Sequence, residues 1–358
     1  MNYSYRFPVV QGLQAESTYY IAMVPLKMLS RLFSEDTEYV LPEYRAQRKL
    51  NQARIPEIKK YILENRNTYV FSALAASIDG EYTYIPSENA DIGILEVSMD
   101  AKFLINDGQH RKAAILAAIE EDESIGNETI SVVFYADKGL KRSQQMFTDL
   151  NKHAVKTSNS IAELYDSRDL LAVVTRRAIA KNKFYNEYVD KERDILGKFS
   201  SALFTLNTFY TANKRILRRG MCDEQFEEFI TKYWNAVEIN MVPWRELVCK
   251  EISKRDLRES YIASQSVVIQ AFGKVGSYFY EHLEFDFEEK LKNIQKINWK
   301  RSSDEWKLRV LRNNGRMINN EKAILLTSNR IKQVVEIPLT DDEQLEENKL
   351  RGYYPIGE

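Results

Sequence analysis

The stretch from Lys102 to Ile119 constrains this chain more than any other. Lys102-Phe103-Leu104-Ile105 is short, apolar and bounded by turn residues, the pattern of a buried strand. Asn106-Asp107-Gly108 follows, and from Ala113 to Ile119 every residue is apolar before charge returns at Glu120-Glu121-Asp122. A helix without a polar face over that length is mostly buried, and the strand leading into it belongs to the sheet that covers it. Asp107 stands where a helix N-cap belongs, able to accept a hydrogen bond from a free N–H of the first turn.

The same turn has the parts of an anion or phosphate site. A helix N-terminus offers unpaired N–H groups and a partial positive charge, Gly108 allows close approach, and Arg111 adds a guanidinium. Gln109 and His110 can then orient a sugar, a base or a water. Read as ordinary structure, Asp107 caps, Gly108 turns, and His110 and Arg111 pair with neighbouring acids. A short motif acquires meaning only from its structural context.

Asp107-Gly108-Gln109-His110-Arg111 matches residue for residue the motif of the DGQHR family of bacterial DNA-modification proteins, which is related to the ParB/sulfiredoxin-like fold. With Lys112-Ala113-Ala114 it is also similar to the Gly-x-x-Arg-x-x-Ala pattern of ParB-type nucleotide sites, although those carry paired arginines where His110 here precedes a single Arg111. Within the DGQHR group the chain most resembles the DndB family of DNA phosphorothioation (sulfur modification) clusters. The likeness runs nearly end to end, through Arg45, Arg48, Arg54 to Ile62, Phe147 to Lys156 and Ile297-Asn298-Trp299.

The resemblance implies a repressor-like regulator that binds double-stranded DNA at the promoter of its own gene cluster. Symmetric operators call for a homo-oligomer, and the other sulfur-modification proteins are further expected partners. It also implies that Asn151, His153 and Lys156 lie beside Asp107, Gly108, Gln109, His110 and Arg111 in one motif pocket, for which a phosphate or a nucleotide such as ATP is the candidate ligand. From the pattern alone, Asn151-Lys152-His153 reads instead as the C-terminal cap of a helix from about Leu140 to Leu150.

With 358 residues, 44% hydrophobic and 29% charged, the chain has the profile of a folded protein large enough for two domains. Its formal net charge of −1 means that any DNA surface is a local basic patch. No apolar run reaches the ~18 residues of a membrane span, and Met1 to Arg6 lacks a signal-peptide core, so a cytoplasmic protein without membrane contact is expected. Cys222 and Cys249 are far apart and read as free, buried thiols; Cys222, just after Arg218-Arg219, carries a secondary reading as a redox sensor.

Before about residue 157 the pattern is mixed. Phe7 to Gly12 and Tyr19 to Val24 are predicted strands, Pro25 opens a helix at its first position, and Arg54 to Glu64 is an amphipathic helix. Tyr69 to Ile78 is predicted as a central strand that Asp79-Gly80 turns back through Tyr82 to Ile85 as a hairpin. Ile92 to Val97 extends the sheet, and Ile130 to Tyr135 completes a strand–helix–strand unit around the motif. The predicted fold class is therefore α+β, or mixed α/β, with a ParB-like sheet domain over residues 1–157 and a mostly helical domain over 158–358.

In the helical part, one helix capped by Ser158 or Ser160 is predicted to run through Leu170 to Lys181. Arg176, Arg177, Lys214, Arg215, Arg218 and Arg219 are the candidate DNA contacts, with Phe184, Tyr185, Tyr188, Phe199, Phe209 and Tyr210 interleaved as groups able to stack on bases. Glu187, Asp190, Glu192 and Asp194 interrupt the charge, and the aromatics also read as core. Phe226, Phe229, Ile230, Tyr233 and Trp234 form a core stripe, and a long helix covers Ser264 to Leu283 with Gly273 and Gly276 permitting close packing. Ser302-Ser303 before Glu305 reads as a capping box, Arg309, Arg312, Arg316 and Lys322 as a second basic cluster, and Asp341 to Glu347 as a frayed acidic end.

No catalytic residue is assigned. Three histidines without a metal-ligand spacing argue against a metallonuclease, and no Walker loop, nucleophile elbow or kinase signature is present. The rival to the regulator is a nucleotide-hydrolysing, ATPase-type or DNA-processing enzyme built on the motif turn, because phosphoryl chemistry needs mainly positioning and charge.

Overall fold

A computed structural model describes residues 3–14, 16–33, 52–136, 158–197, 200–350 and 352. The chain divides into two compact units, Met1–Val155 and Lys156–Glu358. The first is a mixed sheet with helices and the second is mostly helical.

In the first unit, strands β1 (Ser4–Gln14), β2 (Ser17–Pro25), β3 (Leu74–Asp79), β4 (Tyr82–Pro86), β5 (Ile92–Ser98), β6 (Lys102–Asp107) and β7 (Thr129–Ala136) form one sheet in the order β4-β5-β1-β2-β7-β3-β6. Only β3 and β7 pair in parallel; every other pair is antiparallel. On β1 and β2 alternate residues Phe7, Val9, Tyr20, Ala22 and Val24 point into the core, as the two-residue period of a half-buried strand dictates. Leu74 to Ile78 of β3 is buried on both faces.

Gly80 and Glu81 alone connect β3, sixth in the sheet, to β4, first in it. In a flat sheet these positions lie about 24 Å apart at ~4.8 Å per strand, whereas a two-residue link spans at most about 10 Å. The sheet therefore curls until its ends approach. The inward rings agree: Phe103 of β6 lies 6.3 Å from Phe7 of β1 and 5.6 Å from Phe134 of β7.

The Asp79-Gly80 turn is thus present, with Gly80 at φ 145°, but its two strands do not form a hairpin: β4 pairs with β5 and β3 with β6. Turn chemistry is local, whereas partner choice follows from the curl. β3 is next to an edge instead of central, and Tyr69 to Phe71 precede it. β6 runs antiparallel to β3, which is parallel to β7, so β6, its helix and β7 are not a parallel crossover unit. Pro25 ends β2 and precedes a short 3-10 turn, Leu26–Met28: it has no N–H to give to the ladder, which a strand end tolerates. The helix predicted over Arg54 to Glu64 is found at Ile55–Glu64.

The helical unit is built around Ser266–Glu281, packed on Leu206–Leu217 and Glu321–Val334. Gly273 is what permits the first contact: a Cβ there would lie 2.6 Å from the backbone oxygen of Ala212. The Phe226 to Trp234 stripe is core, as expected, on the helix Glu224–Asn240. Buried Asn213 is paired on both sides: it donates to Thr175 Oγ1 (2.9 Å) and accepts from Trp234 Nε1 (2.7 Å).

The first predicted helix of this unit is two, Asn159–Tyr165 capped by Ser158 and Leu170–Lys181 capped by Asp169. Asp166 breaks them apart by accepting from the N–H groups of Arg168 (2.8 Å) and Asp169 (3.0 Å), a side-chain turn that competes with the helical ladder. Ser303 makes no cap hydrogen bond; the capping box is at Ser253 and Asp256 instead. The acidic C-terminal stretch is not frayed. Asp341–Leu350 is a helix in which Glu347 is paired with buried Arg309 and Glu343 accepts twice from Lys332 (2.7 and 2.8 Å), so like charges in sequence are separated partners in space.

Candidate functional site

Gly108 makes the motif turn. It is buried with φ 104°, in the left-handed region, and occupies the N-cap position of the helix Gln109–Ile119. A Cβ on it would come within 2.3 Å of the Leu74 side chain. Asp107 is consequently the last residue of β6 and not the cap, and no side chain caps this helix. Its carboxylate accepts from Arg111 Nη2 at 2.6 Å, one helical turn on.

Arg111 is largely buried, with 16% of its side chain exposed. Its Nη1 donates to the carbonyl oxygens of Ser72 (2.6 Å) and Ala73 (3.0 Å) and to the Ser72 hydroxyl. One guanidinium thus ties the motif turn to the segment entering β3, and the arginine that the sequence offered to a phosphate is engaged by the protein itself. Lys112 is used in the same way, donating to the carbonyl of Phe33 at 2.7 Å.

Gln109 and His110 are half-buried on the first helical turn. Burial, and then the charge of Arg54, lower the pKa of His110, against an opposing pull from Asp107. The turn therefore brings an imidazole whose charged form is disfavoured, a half-exposed carboxylate and the Arg54 cation close together. The sequence does not reveal Arg54, Ser72 and Ala73 as neighbours of the motif, although Arg54 lies in one of the segments that carry the family likeness. Asn151, His153 and Lys156 lie outside the described residues, as do Arg45 and Arg48.

In the helical unit the candidate DNA contacts separate by environment. Arg176 donates to the carbonyls of Glu163 and Asp166 (2.9 Å to Asp166), holding the bend between two helices. Arg215 pairs with Glu321 and donates to Gln270 (2.9 Å). Arg177 and Arg218 are exposed but bound to Glu227 (3.1 Å) and Glu281 (2.9 Å). Lys214 and Arg219 are exposed and make no ion pair among the described residues. Phe184, Tyr185, Tyr188 and Phe209 are buried, and Tyr210 donates to Asp169 at 2.6 Å, so these rings are core and not platforms for bases; Phe199 lies outside the described residues. In the second basic cluster Arg309 is buried against Glu347 and Lys322 pairs with Glu346 (2.9 Å), while Arg312 and Arg316 are exposed.

Cys222 is half-buried, and its thiol is pushed up to about 11 by burial and by the charges of Asp169, Asp223 and Glu227. That is the reverse of the lowered thiol a redox sensor needs. Cys249 is exposed, not buried as expected, because the helix Val242–Val248 ends just before it.

Glu163 is buried; Asn207 donates to one carboxyl oxygen at 2.6 Å and the other has no partner. Burial pushes its pKa up to about 7, with the charges of Asp194 and Asp169 adding and the Asn207 hydrogen bond subtracting. Below its ordinary value near 4.5 the carboxyl is protonated folded or unfolded. Between there and about 7 only the folded chain holds the proton, so stability falls as pH rises through that window and is flat above it. Glu163→Gln is expected to abolish this slope and to be up to about 3 kcal/mol more stable than wild type at pH 8. Urea denaturation of both proteins at pH 5 and pH 8 checks it; equal differences at the two pH values would refute it.

Among the described residues no group of three or more His, Cys, Asp or Glu could hold a metal ion, and no helix is long and apolar enough to cross a membrane. Fold and motif turn together define a two-unit protein, a curled mixed sheet with an arginine-locked strand-to-helix turn followed by a helical unit that carries exposed cations. The chain belongs to the DndB family, described as DNA-sulfur modification-associated, whose model matches residues 7–338. No curated protein and no solved structure matches it.

Proposed function

We propose that this protein is a cytoplasmic, DNA-binding transcriptional regulator of a DNA sulfur-modification gene cluster, acting as a homo-oligomer on its own promoter region. The observation that carries this reading is family membership over nearly the whole chain, including both units. The helical unit supplies supporting chemistry: Lys214 and Arg219 are solvated cations, and the exposed Arg177 and Arg218 pairs can exchange a carboxylate for a phosphate at small cost. Kinship of the first unit to ParB-like domains and contact with the other modification proteins belong to the same proposal.

A second reading, nucleotide binding or hydrolysis at the motif turn, draws on the cluster of His110, Asp107 and Arg54. The engagement of Arg111 with Ser72, Ala73 and Asp107 favours an architectural role for the motif arginine.

Fluorescence anisotropy with the upstream duplex and a scrambled one, over a salt series with and without ATP, tests both. A preference of about a thousandfold for the upstream DNA is expected of a specific regulator. The double variant Lys214→Ala/Arg219→Ala should flatten the logarithmic salt slope by about 2. Equal weak binding to both duplexes, together with ATP turnover, would overturn the regulator and favour the enzyme.

A further inference from the structure

Arg312 and Arg316, the exposed pair of the second basic cluster, stand across from each other on a short hairpin. The Arg312 N–H donates to the Arg316 carbonyl (2.9 Å), the Gly315 N–H to the Arg312 carbonyl (2.8 Å) and the Ile318 N–H to the Val310 carbonyl (2.8 Å). Asn313, Asn314 and Gly315 therefore form the tip, and Gly315 takes the left-handed conformation, φ 74°, that such a three-residue turn needs at its last position. Asn314 Oδ1 accepts from the Arg316 N–H at 3.1 Å and fixes the turn from within. The base is anchored: Val310 and Leu311 are buried and both donate to the Trp306 carbonyl (3.0 Å), while Arg309 is bound to Glu347. Every residue from Arg312 to Arg316 is exposed, so a buried base holds out a solvated finger.

The carboxylates along this segment are already occupied. Between residues 304 and 322 the acids are Asp304, Glu305 and Glu321, and they pair with Lys307 (2.6 Å), Arg330 (2.7 Å) and Arg215 (2.5 Å). Arg312 and Arg316 make no ion pair and no side-chain hydrogen bond among the described residues. A single surface arginine would be an ordinary solvated charge. Here two unmatched guanidiniums flank two asparagines on one projecting tip, and these side chains match base edges: arginine the O6 and N7 of guanine, asparagine the N6 and N7 of adenine. Two chain segments at strand spacing, with their side chains, are about 10 Å wide, which suits the ~12 Å major groove and not the ~6 Å minor groove. The chain from Arg316 to Glu321 spans at most about 17 Å. Glu321 is held by Arg215, the neighbour of solvated Lys214, so one duplex turn of ~34 Å is long enough to meet both the finger and that cation.

We propose that this hairpin is a base-reading finger that enters the major groove of a DNA duplex, with Arg312 and Arg316 directed at guanine and Asn313 at adenine, while Lys214 holds the backbone of the same site. The inference rests on the regulator reading and deepens it, separating the element that reads sequence from the cations that hold phosphate.

The test compares the full-length wild type with Arg312→Ala/Arg316→Ala, by anisotropy on the upstream and scrambled duplexes across a salt series. Both side chains are exposed, so the variant should keep the wild-type unfolding midpoint. A loss of at least about tenfold in affinity for the upstream duplex, with a much smaller loss on the scrambled one, supports base reading. Replacing guanine by 7-deazaguanine in the upstream duplex removes the major-groove N7 acceptor and should weaken wild type far more than the variant. An equal loss on both duplexes, with a salt slope lower by about 2, would reduce the finger to a backbone contact and overturn the proposal. If wild type prefers the upstream duplex and the variant keeps that preference in full, the finger fails while the regulator stands. If wild type shows no preference, the regulator and the finger fail together.

Discussion

Glu347→Ala is expected to cost about 3–5 kcal/mol, the loss found when one member of a buried ion pair is removed. Glu347 is fully buried, and Arg309 keeps only 7% of its side chain exposed. The two meet through both terminal guanidinium nitrogens, 2.9 Å for Nη2 to Oε2, while Arg309 also donates to the carbonyls of Leu326 and Glu305. Alanine would leave a guanidinium buried with carbonyls alone, and the helix Asp341–Leu350 would lose one of its two buried anchors, the other being Glu343 on Lys332. Denaturant titration should show the reduced midpoint, and hydrogen exchange should show early loss of protection in 341–350. Arg309→Met/Glu347→Leu should recover most of the stability, since well-packed apolar residues replace buried pairs at little cost. A single variant within 1 kcal/mol of wild type would mean that solvent reaches the pair, contrary to its burial.

Gly108→Ala is expected to destabilise the first unit by about 2–4 kcal/mol, combining a left-handed conformation forced on an L-residue with a collision in a packed site. The conformation is φ 104° and the collision is with Leu74, a core residue of β3. Leu74 begins the strand that pairs with both β6 and β7, so relief by moving it would disturb two ladders. The variant also controls for function: loss of ligand binding with a lowered unfolding midpoint reports on architecture. His110→Gln keeps a half-buried polar side chain on the first helical turn and is the better probe of binding. Thermal unfolding of the two variants side by side checks the contrast, and a Gly108→Ala protein as stable as His110→Gln would contradict the turn geometry.

Much was legible in the sequence where one element sets its own pattern. The strand–turn–helix at the motif, the amphipathic helix at Ile55–Glu64, the aromatic stripe from Phe226 and the close-packing Gly273 all follow from local periodicity or from the absence of a side chain. The misreadings share one cause, a partner distant in sequence. Asp107 looked like a cap because Arg111 is not visible as a competitor for its carboxylate until the helix is built. Arg309 and the acidic end looked like two solvated charge runs because nothing local says that Glu347 folds back onto Arg309.

By itself, then, the sequence determined the class of fold, the position of the motif turn, the apolar faces of the helices and membership in a DNA-sulfur modification-associated family. Hydrophobic period and backbone preference act over a few residues and need no partner to be read. Only the tertiary structure decided the strand order of the curled sheet, the engagement of Arg111 by Ser72 and Ala73, and which cations face a carboxylate. Those outcomes depend on electrostatic and hydrogen-bond partners brought together across the chain, and charge compensation is a property of distances in space that the order of residues does not contain.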